Sequence, residues 1–360
     1  MKLAIFGGGQ LGRMLAQAAL PLDVHCQVLD PTEAPCAAAA ARHIHGDYAD
    51  HAALDRLADG VDAATYEFEN VPVEAVEYVA ARVPAAPGAT SLACAQDRAH
   101  EKQLFEDLDI DVAPWAEVND PNELRAAIAR IGLPAVLKTR RFGYDGKGQV
   151  VIRGADDMDA AWEAVAGQPC VLETFVPFER EVSMIGVRSR DGEIRCYALT
   201  ENVHREGILR QSTPLAADTL QASAEQSLTR VMQALDHIGV MAFEFFVADG
   251  RLLANEIAPR VHNSGHWTID GAVCSQFENH VRAVLGLPLG DTATRGPCVM
   301  LNAIGQMPTV AELAKVPGCR IHAYGKSPRP GRKIGHVTLI AASPDELKQR
   351  LAVLQAVMIG

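Results

Sequence analysis

The chain opens on a short apolar run, residues 3–6, that ends at Gly7, and the segment 10–20 behind it carries Leu11, Met14, Leu15 and Ala18 at helical spacing. This pattern predicts a strand, a glycine turn and a helix. Further apolar runs at 26–29 and 63–66 are separated by alanine-rich helical stretches, the alternation of a parallel α/β sheet. The first unit closes near Pro84 to Pro87.

Helical sequence then runs as one stretch over 91–108, followed by a strand at 113–118 and a helix opened by Asp120 and Pro121. Residues 135–138 read as a strand entering Arg141-Phe-Gly-Tyr-Asp-Gly-Lys-Gly148, and 149–152 as the returning strand, so the pair predicts a hairpin with a glycine-rich tip. A helix at 156–166 and a strand at 170–176 complete a small α+β unit. Alternating segments over 181–209 predict antiparallel strands, and 222–238 is a long amphipathic helix. The apolar runs 240–247 and 252–257 flank Ala248-Asp-Gly250, a strong hairpin signal because Asp-Gly accepts positive backbone angles. A helix at 275–285 leads through Gly286-Leu-Pro-Leu-Gly290 into a last strand-rich segment that ends in a helix.

A length of 360 residues, 48% of them apolar, predicts two or three packed domains. Acidic residues exceed basic ones by 45 to 33, for a net charge of -12, which gives no general attraction to nucleic acid or anionic membrane. A phosphate-bearing partner must meet a local basic pocket. The eight cysteines form no Cys-x-x-Cys pair, and the apolar run at the start is too short for a signal peptide or a membrane span. Both point to a reducing cytoplasm.

Five constellations could carry chemistry. Gly7-x-Gly9-x-x-Gly12, with Asp30 at the end of the second strand, suits a dinucleotide, a phosphorylated substrate or a tight structural turn; the phosphate reading is favoured, since Gln10 and Arg13 add polar groups a dinucleotide does not need. Gly143 to Gly148 could wrap triphosphate oxygens, with Lys147 and Lys138 adding charge, or be a surface turn; it lacks the Walker order. Glu244 and Glu256 lie on the two arms of the Asp-Gly hairpin among apolar neighbours, and with Asn255 suit magnesium bridging nucleotide phosphates, a buried salt bridge being the alternative. Arg260-Val-His-Asn-Ser-Gly-His266 reads as a substrate-contacting loop, with zinc between His262 and His266 as its rival. Lys326, Arg329, Arg332 and Lys333 form either the expected phosphate pocket or a solvated basic turn.

Gly8-Gly-Gln-Leu-Gly-Arg-Met14, Phe142-Gly-Tyr-Asp-Gly-Lys-Gly-Gln149, Asn255-Glu-Ile-Ala-Pro-Arg-Val-His-Asn-Ser-Gly-His-Trp267 and Arg329-Pro-Gly-Arg-Lys-x-Gly-His336 together resemble the ATP-grasp family, most closely its carboxylases of aminoimidazole ribonucleotide in purine synthesis. The resemblance implies a mixed α/β and α+β fold: a doubly wound parallel-sheet domain over 1–97, an ATP-grasp domain over 98–292 with a lid at about 115–178, and a small α+β domain over 293–360.

It further implies ATP as co-substrate, held by Arg98, Lys138, Gly143, Tyr144, Asp145, Gly146, Lys147, Gly148, Gln149, Glu173, Thr174, Phe175, Val176, Glu181, His204, Asn255 and Glu256. Magnesium, or manganese in its place, would meet Glu244 and Glu256. The ribonucleotide would meet Gln10, Tyr144, Asp145, Arg260, His262, Asn263, Ser264, Lys326, Arg332 and Lys333. Lys138, Asp145, Arg260 and His262 would act in catalysis, Asp145 as acceptor of the amine proton. Bicarbonate would attack ATP to give carboxyphosphate, and this species, or carbon dioxide released from it in a closed pocket, would carboxylate the amine. The resemblance also implies a homodimer whose other partners are small molecules. The rivals are another ATP-grasp ligase, such as a formate-using transformylase or biotin carboxylase, a nicotinamide oxidoreductase on the glycine fingerprint, and a non-catalytic nucleotide sensor.

Overall fold

The computed structural model describes residues 1–143 and 146–359. Its first unit is the predicted parallel sheet. Lys2–Phe6 lies between His25–Asp30 and Ala63–Tyr66, with Arg42–His45 at one edge. Leu3, Ile5, Val28 and Ala63 are wholly buried in one core cluster, and Ala4, Phe6, Leu29 and Ala64 in another. The central strand is therefore covered on both faces by helices, as continuous apolar runs of this kind require.

The stretch 91–108 departs from expectation: it is two helices, Ala89–Ala95 and Arg98–Asp107. The break is at Asp97, whose side chain accepts a hydrogen bond from Ala99 N at 3.0 Å and so starts a new helix rather than continuing the old one. Gln96, beside it, donates to the carbonyls of Glu69 and Val71. The interruption thereby ties the second unit to the first.

The small α+β unit is a four-stranded sheet in the order Trp115–Val118, Cys170–Thr174, Ala135–Thr139, Gln149–Ile152. The last two pair antiparallel as the predicted hairpin, with Lys138 opposite Gln149. A nine-stranded sheet forms the body of the molecule. Gly239–Ala248 and Arg251–Ala258 pair at one edge, joined by Asp249 and Gly250 with φ of 49° and 70°, the double positive-φ turn the sequence called for. At the other end Cys298–Ile304, Lys333–Ile340 and Cys319–Ala323 extend the same sheet, through pairing of Ile208–Pro214 with Cys298–Ile304. The C-terminal strands therefore share a hydrogen-bonded frame with the Glu244 hairpin. Among the described residues no helix is long and apolar enough to cross a membrane.

Candidate active site

All these units face one cavity of about 540 Å³. Its wall combines Gln10, Glu67 and Glu69 from the first unit, Arg98 and Glu101 from the helix Arg98–Asp107, and Gly143 from the glycine hairpin. Glu244, Glu256, Arg260, His262 and Asn263 come from the large sheet and its following loop, and Lys333 from the C-terminal strands. Tyr144 and Asp145 lie outside the described residues.

Glu244 and Glu256 are direct cross-strand partners, so their side chains share one face. The pairing slips between Glu244 and Phe245 and leaves Asn255 without a partner in the ladder; such bulges re-aim side chains at functional sites. Desolvation and the Glu256 carboxylate opposite push the Glu244 pKa up. Burial would raise Glu256 too, but Arg98, whose Nη1 donates to its Oε2 at 2.7 Å, holds it below the usual value. Two facing carboxylates with an unpartnered, buried Asn255 Oδ1 nearby fit a hard, oxygen-seeking cation. Among the described residues no three or more His, Cys, Asp or Glu side chains converge as a protein-only cage. Magnesium does not need one, since it binds through one or two carboxylates, waters and substrate phosphates.

Beside this pair lies a cationic network. Glu173 Oε2 is 3.1 Å from Lys138 Nζ and 3.3 Å from Lys102 Nζ, with all three side chains buried. Burial alone would raise Glu173, yet Lys102, Lys138 and Arg98 pull it down to about 2. Burial in turn lowers Lys138. Glu181 Oε2 lies 3.1 Å from His204 Nδ1; burial would lower His204, but Glu181 and Glu244 raise it. In the glycine hairpin, Gly146 and Gly148 take φ of 76° and 73°, and a side chain at Gly148 would strike Thr139 Oγ1 at 2.6 Å. Glycine is required there by both backbone and space.

The fingerprint Gly7 to Gly12 is filled from within the chain. Gly8 N donates to Asp30 Oδ2 at 2.8 Å, and Gly9 N and Gly12 N donate to the two oxygens of Glu67 at 2.8 and 3.0 Å. A Cβ at Gly7 or Gly9 would lie 2.6 Å from Glu67 atoms. A carboxylate thus occupies the helix N-terminus, so the glycines serve close approach to Glu67, and the phosphate and dinucleotide readings of these amides give way to it.

On the opposite wall, Arg260 Nε donates to Glu69 Oε2, and Asn263 exchanges amide hydrogen bonds of 3.0 and 2.7 Å with Asn302. His262 Nε2 is 3.6 Å from Glu244 Oε1; desolvation, Arg260 and Lys333 lower its pKa to about 3. Lys326 donates to Gln10 Oε1 across the molecule. Arg332 donates to Ser327 Oγ at 3.0 Å, and Ser264 is fully buried behind His262. Sequence reasoning missed Glu67, Glu69, Glu101 and Lys102. The first two follow the strand Ala63–Tyr66 directly, where α/β sheets place ligand groups. The others stand three and four residues after Arg98, on one helical face.

Family models match along the chain: a ribonucleotide synthetase preATP-grasp domain at residues 1–96, an ATP-grasp domain at 103–277 and a phosphoribosylaminoimidazole carboxylase C-terminal domain at 298–350. The N5-carboxyaminoimidazole ribonucleotide synthase of Pseudomonas aeruginosa is 53% identical over 358 residues, covering 99% of both chains. This chain belongs to the N5-carboxyaminoimidazole ribonucleotide synthase family. Solved structures agree. The N5-carboxyaminoimidazole ribonucleotide synthetase of Thermus thermophilus superposes with a TM-score of 0.95 at 49% identity, covering 99% of this chain and 98% of the other. The Aspergillus clavatus N5-carboxyaminoimidazole synthase, solved in complex with ADP and 5-aminoimidazole ribonucleotide, gives 0.92 at 32% identity over 99% of this chain and 98% of its own. The synthase family thus accounts for the fold class, an ATP-grasp body between a parallel-sheet domain and a C-terminal domain.

Proposed function

We propose that this chain carboxylates the exocyclic amine of 5-aminoimidazole ribonucleotide at the expense of ATP and bicarbonate, releasing N5-carboxyaminoimidazole ribonucleotide, ADP and phosphate in purine biosynthesis. The observation that carries this reading is one cavity wall that joins the Glu244–Glu256 pair and Arg98 to Arg260, His262 and Lys333. Phosphoryl transfer needs preorganised charge around the moving phosphoryl group. Arg98 and Lys138 supply it, and Lys102 keeps Glu173 paired when Lys138 turns to a phosphate. The Gly143 to Gln149 hairpin closes over the triphosphate, while the strand end from Glu173 to Val176, with Glu181 and His204, holds the nucleoside. Glu244 and Glu256 would hold magnesium, which when bound would offset the charge of the nucleotide phosphates.

Bicarbonate oxygen attacks the γ-phosphorus, the bond to ADP breaks, and carboxyphosphate forms. The amine then attacks its carbonyl carbon, phosphate leaves, and Asp145 takes the amine proton. Arg260, His262 and Asn263 position the reacting groups, while Gln10, Lys326, Arg332 and Lys333 bind the ribonucleotide; the enzyme works as a cytoplasmic homodimer. ADP release should require aminoimidazole ribonucleotide, bicarbonate and magnesium together, and chelation should abolish it. Glu256→Gln should lose about a hundredfold in turnover, the scale of one preorganised electrostatic group, with unchanged circular dichroism. ADP release indifferent to the ribonucleotide would overturn the reading.

A further inference from the structure

Behind His262 the large sheet carries a series of buried polar side chains. Ser183, Ser212 and Ser264 are wholly buried and Asn202 is 5% exposed. Ser183, Asn202 and Ser212 come from the adjacent strands Arg180–Arg188, Thr200–Arg205 and Ile208–Pro214, and Asn202 is the cross-strand partner of Ser212. Ser212 Oγ donates to Asn202 Oδ1 at 2.8 Å, and Asn202 Nδ2 donates to Ser183 Oγ at 2.9 Å. Ser183 Oγ donates to Ser264 Oγ at 2.8 Å, and Ser264 Oγ lies 2.9 Å from His262 Nδ1.

The series has a direction. An amide NH2 only donates, so Ser183 Oγ is an acceptor from Asn202 and its one proton is left for Ser264, whose own proton then goes to His262. The other end says the same. Ser264 N points at His262 Nδ1 from 3.3 Å, and a backbone N–H can only donate, so Nδ1 carries the lone pair. In a neutral imidazole the hydrogen is then on Nε2, the atom that faces Glu244. With the Asn202 amide turned over, every proton in the series would reverse, Nδ1 would hold the hydrogen, and His262 would turn a lone pair towards a carboxylate.

We propose that Ser212, Asn202, Ser183 and Ser264 form a buried, one-way hydrogen-bond series that fixes His262 in its Nε2–H tautomer, so that it presents a donor to the cavity beside Glu244. Ser264, which the sequence placed among the substrate contacts, becomes a positioning residue, as do Ser183, Asn202 and Ser212. Residues that orient an imidazole through its far nitrogen are a general device for setting which atom faces the chemistry. Only the kinetic consequence rests on the carboxylase reading; the tautomer does not.

The test is long-range proton–nitrogen NMR on the full-length protein with ¹⁵N-labelled histidine, the His262 signal being assigned by its loss in His262→Gln. The wild type should show one tautomer, with hydrogen on Nε2. Ser183→Ala, which cuts the series, and Ser212→Ala, which removes the donor holding the Asn202 amide, should each give a mixture of tautomers in protein that stays folded by circular dichroism, with a lowered unfolding midpoint because a buried polar group loses its partner. Turnover should fall about tenfold in Ser183→Ala, the lower end for lost outer partners, while the KM for ATP stays within about twofold. Should Ser183→Ala fail to fold, Ser212→Ala carries the test alone. A wild-type signal with hydrogen on Nδ1, or a single unchanged tautomer in the folded variants, would overturn the proposal. A locked tautomer that loosens as expected supports it whichever acceptor the enzyme carboxylates.

Discussion

At the scale of single residues, the site is set by how each carboxylate is paired. Glu173 keeps its charge because two lysines share it, whereas Glu101, almost fully buried, accepts a hydrogen bond from the Ile257 N–H and has Glu256 as a neighbouring charge. Burial, opposed in part by Arg98, raises Glu101 to about 8 from 4.5. The folded protein therefore holds a proton between pH 4.5 and 8 that the unfolded chain has released. Stability from this group is full below 4.5 and is lost as pH rises through 8, at up to about 1.4 kcal/mol per pH unit. Glu101→Gln keeps the acceptor for Ile257 N and removes the titration. Its gain in unfolding free energy over wild type should thus grow from pH 5 to pH 8, as measured by chemical denaturation. A pH-independent difference would show that Glu101 ionises normally.

Elements matter here for how closely they let backbones approach. The helix Gln10–Ala19 begins on three amides that reach Asp30 and Glu67, and this works only because no Cβ intervenes. Gly9→Ala would set a methyl 2.6 Å from Glu67 Oε1. The clash should cost about 1–3 kcal/mol, the usual range for overpacking a buried site, and denaturant titration would measure it. The hairpin of Glu244 and Glu256 illustrates a different limit. Its two-residue turn is readable from Asp249-Gly250, and strand alternation puts apolar neighbours around both carboxylates. The bulge at Asn255 is not, because it arises from the ladder slipping against a specific partner strand.

For the molecule as a whole, the cavity exists only where three units meet, and the cations beside its Gln10 and Lys333 wall come from distant segments. Lys326 reaches Gln10, 316 residues away, and burial with nearby Arg332 and Lys333 lowers its pKa although Cys36 and Glu67 act the other way. Three cations gathered in a chain of net charge -12 suit the ribonucleotide phosphate. Lys326→Ala should raise the KM for aminoimidazole ribonucleotide about ten- to a hundredfold, the weight of a charge-assisted hydrogen bond. The KM for ATP should barely move, since Lys326 pairs with Gln10 whereas Arg98 pairs with Glu256 and Lys138 with Glu173. Steady-state kinetics at fixed ionic strength would check both; equal effects on the two substrates would place Lys326 in the frame of the fold rather than at the phosphate.

What the sequence determined by itself was local or periodic. The strand-turn-helix opening, the glycine hairpin, the Asp-Gly hairpin with its two carboxylates and the clustered basic block all follow from neighbours a few residues apart, where backbone preference and side-chain period act directly. Tertiary structure decided which of those groups meet. Glu67 fills the glycine turn from 58 residues away, Lys102 and Lys138 converge on Glu173, and Ser264 turns from the cavity to join Ser183, 81 residues earlier. Polar side chains taken out of water must find partners, and folding alone brings those partners within reach, so no local pattern in the chain announces them.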